Sequence, residues 1–224
     1  MKRFTSFVAA MAVVVPMAAS AQSAKSAVQL SRHALLTPAF DESTGWTAIL
    51  NTQIKTSQQK DLIIGVSLET GLVTKTVVRS KNNVEDIAWA EANVRVRVTI
   101  DGKEAVPGIV TYDKRRQELM AKFAGFNNCF DSSGDGVIDP LTECTLDPEE
   151  LSLLLDTMAA HHFEFVLDDL GSGVHNVVVE AQVITDKGLA GSQLGEATAR
   201  GLVGKGSLTV QEVRLVKGAV IEVQ

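Results

Sequence analysis

The sequence contains few of the residues that usually form a catalytic or sugar-binding surface. Aromatic residues make up only 5% of the 224 residues, and Trp46, Trp89 and Tyr112 lie too far apart to predict a platform for sugar stacking. The segment 65–69 approaches a nucleophile-elbow motif but has Glu in place of the second Gly. The segment 204–207 contains the Gly, Lys and Ser residues of a phosphate-binding loop, but not at the spacing that such a loop requires. The sequence therefore shows no catalytic constellation.

Cysteine is scarce as well, because the chain has only Cys129 and Cys144. Two cysteines allow a single intramolecular pairing, which an oxidising compartment would favour. The alternative is a pair of free, buried thiols. The sequence thus predicts at most one disulfide, which would close a ring of about 15 residues.

Basic residues are outnumbered by acidic residues, 21 to 27, which gives a net charge of −6. Loss of Lys2 and Arg3 with a leader peptide would leave 19 basic residues and a net charge of −8. An acidic chain repels phosphate backbones, and the sequence has no basic stripe with interleaved aromatic residues. We therefore do not expect nucleic acid as a partner.

The N-terminus has the features of an export signal. Lys2 and Arg3 form a basic start, 7–17 is an apolar run, and the Ala-Ser-Ala of 19–21 is a small-residue cleavage site. A membrane-spanning helix would need about 20 apolar residues, and this run is shorter. We expect residues 1–21 to be removed as a signal peptide after Ala21. The mature chain would then be secreted, periplasmic or extracellular, with no membrane span.

Alternating apolar and polar residues dominate the remaining sequence and predict half-buried β-strands. The clearest runs are 62–68 and 94–100, and the second leads into Asp101-Gly102, a dipeptide typical of a tight type I′ hairpin turn. Another hairpin is predicted between 163–167 and 177–183, across a glycine-rich turn. Strands and turn signals at these intervals indicate an all-β fold.

The strand spacing predicts a mainly β, antiparallel two-sheet sandwich, with a jelly roll preferred and an immunoglobulin-like sandwich as the alternative. Near the C-terminus the alternating apolar residues switch from even positions, 208 and 210, to odd positions, 213 and 215, which predicts a β-bulge around 211–212. A last strand is predicted over 219–223. We expect residues 22–44 to form a loosely held arm. Residues 45–224 would then be a single domain into which the disulfide-bounded loop 129–144 is inserted.

One short helix is predicted over 148–160. Asp147 is a suitable N-cap, Pro148 suits the first helical position, and Glu150 would complete a capping box. Four apolar residues would then share the face that packs on the core: Leu151, Leu154, Leu155 and Met158.

The segment between the two cysteines contains four acidic residues and no basic residue. Its spacing is that of a calcium loop, in which oxygens at positions 1, 3, 5, 7, 9 and 12 bind the ion. Gly136 stands at position 6, where such a loop turns sharply. The first five ligands would be Asp131, Ser133, Asp135, the Val137 carbonyl and Asp139.

Over 131–142 the sequence resembles the calcium loop of EF-hand and dockerin-type repeats, which implies a Ca²⁺ site. It departs from that pattern at position 12, where Thr142 replaces the bidentate acid and Glu143 follows one residue late. If Glu143 completes the shell, we expect a weak, structural site with a Kd of about 10⁻⁴ to 10⁻³ M. The alternative is a polar surface turn that binds no ion.

The whole chain resembles secreted jelly-roll and immunoglobulin-like domains in architecture only. These features predict an exported, non-enzymatic β-sandwich with a role in binding, adhesion or surface structure. Its expected partner is a protein or a glycan, and self-association into a homo-oligomer is a further option. The alternative is a secreted hydrolase whose catalytic groups come from distant strands.

Overall fold

A computed structural model describes residues 25–31, 45–80, 85–122, 129–139, 142–144, 149–191 and 194–215. The expected signal peptide and the expected strand at 219–223 lie outside these ranges. The described residues form nine strands and no helix. In chain order the strands are β1 (Ser26–Ser31), β2 (Thr47–Thr56), β3 (Lys60–Ser80), β4 (Asp86–Ile100), β5 (Lys103–Glu104), β6 (Val110–Ala121), β7 (Glu149–Leu170), β8 (Gly173–Ala190) and β9 (Glu196–Val213).

The strands form two antiparallel sheets that pack face to face, so the predicted sandwich is confirmed. Sheet A has the order β1-β9-β3-β7. Sheet B has the order β2-β8-β4, with β5 and β6 both paired to the far edge of β4. The pairing is nested along the chain, β1 with β9, β2 with β8, β3 with β7 and β4 with β6. This folded ribbon is a jelly-roll arrangement.

The core lies between the sheets, because alternate residues of each strand point inward. Phe165 is the largest fully buried side chain, and it packs with inward residues of β3, β4 and β8. Full burial of one such aliphatic or aromatic side chain contributes about 1.5 to 3 kcal/mol to stability. The inward residues of the two clearest alternating runs, 62–68 and 94–100, are Leu62, Ile64, Val66, Leu68, Val94, Val96, Val98 and Ile100.

The predicted helix over 148–160 is wrong, because its described residues belong to the single strand β7. This strand pairs with β3 from Leu62 opposite Leu167 to Ser80 opposite Glu149. β3 is 21 residues long and needs main-chain partners along both edges. A helix propensity of a few tenths of a kcal/mol per residue is outweighed by that ladder. Asp147 and Pro148 lie outside the described residues.

The tight turn after β4 is confirmed. Asp101 and Gly102 both have positive φ angles, 50° and 84°, and β5 returns along β4. The hairpin predicted between 163–167 and 177–183 is wrong, because β7 belongs to sheet A and β8 to sheet B. The chain there crosses from one sheet to the other, as the nested pairing requires.

The β-bulge expected around 211–212 is wrong. Pairing of β3 with β9 runs unbroken from Asp61 opposite Val213 to Leu68 opposite Gly206, and Leu208, Val210 and Glu212 all point inward. The register of this pair shifts only beyond that point, so the extra residue of β9 lies near 204–205. Within the expected N-terminal arm, Ser26–Ser31 forms β1 and pairs with β9.

Candidate functional site

The loop before β7 is closed by a disulfide between Cys129 and Cys144, the pairing that the sequence allows. The Phe130 amide also donates a 2.9 Å hydrogen bond to the Glu143 carbonyl, so the two arms of the loop meet at its base. In the chain-entropy model, a ring of this size stabilises the folded state by about 3 kcal/mol. The residues between the cysteines are thus presented as a constrained protrusion.

Asp131 organises the first half of this loop. One carboxylate oxygen accepts a 2.6 Å hydrogen bond from the Gly134 amide, and the other accepts a 2.7 Å bond from the Gly136 amide. Both glycines have positive φ angles, 73° and 80°, which side-chain-bearing residues rarely adopt. The amide of Gly136 is the largest cause of a lowered Asp131 pKa, because hydrogen bonds to the charged form stabilise it.

Glu143 folds back into the second half of the loop although it is one residue late for a calcium ligand. Its carboxylate accepts hydrogen bonds from the Asp139 amide at 3.0 Å and the Ser133 amide at 2.8 Å. These bonds lower the Glu143 pKa, with the Asp139 amide as the largest cause. The acids at the two ends of the loop therefore bind its own main chain.

The remaining acid-bearing positions do not complete a preformed metal shell. Asp135 accepts a 2.8 Å hydrogen bond from the Val137 amide, and no group of three acidic, His or Cys side chains gathers at ligand distance within the described residues. A carboxylate that accepts one or two N–H bonds still has lone pairs free for a cation. The acidic side chains at these described positions therefore bind the main chain of the loop and are not gathered into a ligand set.

The N-terminal half of β7 is a second candidate, and it is an interaction surface. β7 is an edge strand of sheet A, and 150–160 is exposed on both faces. Leu154 is 61% exposed and Met158 is 65% exposed on the outer face. Leu151, Leu153 and Leu155 are 37–42% exposed on the inner face.

The open edge of β7 also presents unpaired main-chain groups. Val166 exchanges both of its main-chain hydrogen bonds with Val106, at 2.8 and 2.9 Å, on the side opposite β3. In an antiparallel strand, every second residue points its N–H and C=O to the same side. The even-numbered residues from Ser152 to Glu164 therefore face away from β3. No strand among the described residues pairs with them.

Side chains from β6 hold this part of β7 in place from below. Gln117 donates a 2.9 Å hydrogen bond to the Leu153 carbonyl, and Arg115 donates one of 3.3 Å to the Leu155 carbonyl. The Tyr112 hydroxyl lies 2.7 Å from the His161 carbonyl, to which it donates. The edge is therefore fixed as an extended strand, which reduces the entropy lost when another strand binds.

β7 differs from the other edge strands in its amino-acid composition. Natural edge strands are commonly protected from pairing by Lys, Pro, bulges or shortness. β6 at the edge of sheet B carries Lys114, Arg115 and Arg116, and β1 at the other edge of sheet A is only six residues long. β7 has no Lys, Arg, Pro or Gly in 22 residues. β7 therefore lies at the edge of its sheet and also lacks the residue types that commonly prevent another strand from pairing there.

A third cluster lies on the outer face of sheet A. The Ser67 hydroxyl is 2.8 Å from His162 Nδ1, and His162 Nε2 is 3.8 Å from the Glu164 carboxylate. Both His162 and Glu164 are more than half exposed. A shallow groove of about 340 Å³ adjoins Ser67. The sequence motif around Ser67 was incomplete, and its histidine comes from a strand 95 residues away.

Sequence reasoning missed the open edge and the cluster around Ser67, because both depend on which strands become neighbours. The available signal for the edge was the 22-residue stretch without Lys, Arg, Pro or Gly. In the described part of the chain, no helix is long and apolar enough to cross a membrane. No protein-family model matches the sequence, and a search of curated proteins returns no significant match.

Proposed function

We propose that this chain is an exported, non-enzymatic β-sandwich subunit that acts in binding, adhesion or surface assembly through the open edge of β7. One observation carries the proposal. Residues 152–160 expose leucines, no strand of the described residues pairs with the open edge of their main chain, and β7 itself contains no Lys, Arg or Pro. Addition of a strand to such an edge is a recurrent mode of protein recognition, in which main-chain hydrogen bonds supply the affinity. The N-terminal signal features support export.

The test is binding of an extended peptide by the mature chain, residues 22–224. A suitable probe is a fluorescent peptide copy of 69–79, because this segment of β3 already pairs with Glu150–Ala160 on the other edge. We expect saturable binding measured by fluorescence anisotropy. Leu154→Lys should weaken it about tenfold or more, because a charged edge residue opposes strand addition.

The matched control is Leu30→Lys on β1. Leu30 is 73% exposed at the opposite edge of the same sheet, so this variant makes the same substitution on a leucine that is at least as exposed as Leu154. Binding should change less than about twofold, as for most surface substitutions. Equal losses in the two variants would refute the role of the β7 edge.

The loop at 129–144 supports a second element of this proposal, a weak structural Ca²⁺ site formed by Asp131, Ser133, Asp135, Val137, Asp139 and Glu143. We expect millimolar Ca²⁺ to give a small rise in Tm, because a site of this class has a Kd of about 10⁻⁴ to 10⁻³ M. The rise should be fully present above the ordinary carboxyl pKa values of 3.8 and 4.5, and it should vanish at lower pH, as the pH falls through the lowered pKa values that Asp131 and Glu143 have in the fold. Both pKa values are lowered in the fold, so the stabilising contacts are lost as the pH falls through them.

Calorimetric titration and thermal melts with and without chelator measure this effect. Asp135→Asn is the informative variant, because it removes the charge and keeps an oxygen acceptor for the amide of Val137. It should abolish the Ca²⁺ response. An unchanged Tm at millimolar Ca²⁺ in the parent chain would show that the loop is a self-contained polar turn.

One observation favours the alternative function, a secreted hydrolase. The contact of Ser67 with His162, and of His162 with Glu164, places a hydroxyl, an imidazole and a carboxylate in sequence. A nucleophilic serine also needs donors for the oxyanion. The open strand surface around Ser67 is unlike the enclosed site in which such donors are most effective. Covalent labelling of Ser67 by a fluorophosphonate would establish the alternative.

A further inference from the structure

We propose that the strand added to the edge of β7 is β7 of a second copy of this chain. The two strands would run antiparallel about a two-fold axis that passes through Leu154, perpendicular to the sheet. The two four-stranded A sheets would thereby join into one continuous sheet. This inference rests on the proposed function and names the partner of the same surface.

The main-chain geometry suits such a pairing. The even-numbered residues of β7 point their N–H and C=O groups to the open edge, as the Val166 bridge shows. A two-fold axis through Leu154 places Leu154 opposite itself, Ser152 opposite Asp156, and Glu150 opposite Met158. Each of these facing pairs can exchange two main-chain hydrogen bonds. The five pairs related by symmetry would form about ten such bonds.

The charge pattern of β7 favours this centre over the neighbouring axes at 153, 155 and 156. With the axis at 154, Asp156 opposes Ser152, which can donate a hydrogen bond to it. An axis at 153 would place Asp156 opposite Glu150, and one at 156 would place Asp156 opposite itself. Like charges directly opposite each other destabilise a sheet. An axis at 155 would set Asp156 against Leu154 next to the centre of the pairing, whereas the axis at 154 sets a charge against an apolar side chain only at the ends, where Glu150 faces Met158.

The apolar side chains become self-complementary in the same register. On the inner face, Leu153 of each copy opposes Leu155 of the other, and Leu151 opposes Thr157. On the outer face the two copies of Leu154 meet at the axis. These leucines are now between 37% and 61% exposed, so the pairing would bury apolar surface that the sandwich leaves in water. A single patch that complements itself is what a two-fold dimer requires.

The first measurement is the mass of the mature chain by light scattering over a wide concentration range. We expect a dimer that dissociates on dilution, and a monomer at every concentration for Leu154→Lys. Circular dichroism melts establish that the variant is folded. Leu30→Lys, on β1, should remain dimeric.

The register is tested by cross-linking. Residues opposite each other in a hydrogen-bonded pair have Cα atoms about 5.5 Å apart, which is within the range for a disulfide. Leu154→Cys should therefore form a covalent dimer under mild oxidation, identified by peptide mapping. Met158→Cys should not, because its two copies would lie about 27 Å apart along the strands.

Three outcomes would contradict the inference. A wild-type chain that stays monomeric while the 69–79 peptide still binds the edge would exclude self-pairing and leave the proposed function intact. Failure of both the peptide and the dimer would remove the proposed function as well. A cross-link at position 158 in preference to 154 would contradict the axis proposed here.

Discussion

Replacement of Tyr112 by Phe is expected to lower the free energy of unfolding by about 2 to 3 kcal/mol, although it removes a single oxygen atom. The Tyr112 hydroxyl accepts a 3.1 Å hydrogen bond from the Leu68 amide. It lies 2.9 Å from the Val66 carbonyl and 2.7 Å from the His161 carbonyl, to which it donates. One hydroxyl therefore serves main-chain groups of both β3 and β7, in a buried position.

Burial also explains why this hydroxyl stays protonated. Desolvation raises the pKa of Tyr112 to about 12, against a smaller opposing effect of the hydrogen bond from Leu68. The phenylalanine ring would keep the edge-on packing against His161, so the loss would report on hydrogen bonding rather than on a cavity. Urea unfolding at neutral pH measures the difference from the parent chain.

Ser67→Ala is the matched control for Tyr112→Phe. It also deletes one hydroxyl, but that hydroxyl contacts only the exposed His162 on the outer face. We expect a change within about 0.5 kcal/mol, as for an ordinary surface substitution. Equal effects of the two substitutions would contradict the assigned role of Tyr112 in joining β3 to β7.

Replacement of Gly191 by Ala is expected to cost about 3 kcal/mol or more, because strain and a steric clash combine at this position. Gly191 follows β8 with a φ angle of 90°. A β-carbon there would lie 2.1 Å from the Glu85 carbonyl oxygen and 2.5 Å from an Asp86 carboxylate oxygen. The main chain before β4 would have to move to admit it.

Gly134→Ala separates the two contributions. Gly134 has a similar φ angle, 73°, but a β-carbon added there would have no neighbouring atom within 4 Å. Its substitution should cost only the backbone strain, about 1 kcal/mol. The difference between the two variants, measured by urea unfolding, gives the steric contribution at Gly191. A Gly191 variant no less stable than the Gly134 variant would show that the chain before β4 yields freely.

The sandwich was predictable because its central strands carry a strict alternation of apolar and polar residues. Val94, Val96, Val98 and Ile100 point into the core as the pattern predicts. The turn at Asp101-Gly102 was predictable for a local reason as well, since both residues tolerate positive φ angles. Both features depend on residues that are close together in the sequence: the alternation of side chains along one strand, and the conformations that two adjacent turn residues can adopt.

Strand β7 was not predictable from local signals. Leu151, Leu154, Leu155 and Met158 fit the spacing of a helical face, and the acids before them fit a helix start. The deciding interaction is the ladder with β3, whose residues lie 69 or more positions earlier in the chain, as Ser80 opposite Glu149 shows. A single sequence does not show which strand will pair with this segment. The local helix preference of its residues therefore predicted the wrong secondary structure.

The structure of the loop at 129–144 was predictable only in part. The disulfide followed from the cysteine count, and the turn at Gly136 followed from its position in the motif. The return of Glu143 to the amides of Ser133 and Asp139 did not follow from either. It depends on the path of the main chain through two left-handed glycines, which spacing alone does not describe.

The nested pairing of the strands has a consequence for the order in which the protein can fold. The innermost pair, β4 with β6, is close in sequence, whereas the outermost pair joins Ser26 to Gln211. Closing such distant contacts is entropically expensive, which places this chain among the slow-folding topologies of high contact order. Because β9 lies between β1 and β3, a growing chain cannot complete sheet A until β9 has left the ribosome. Until then β1 has no partner.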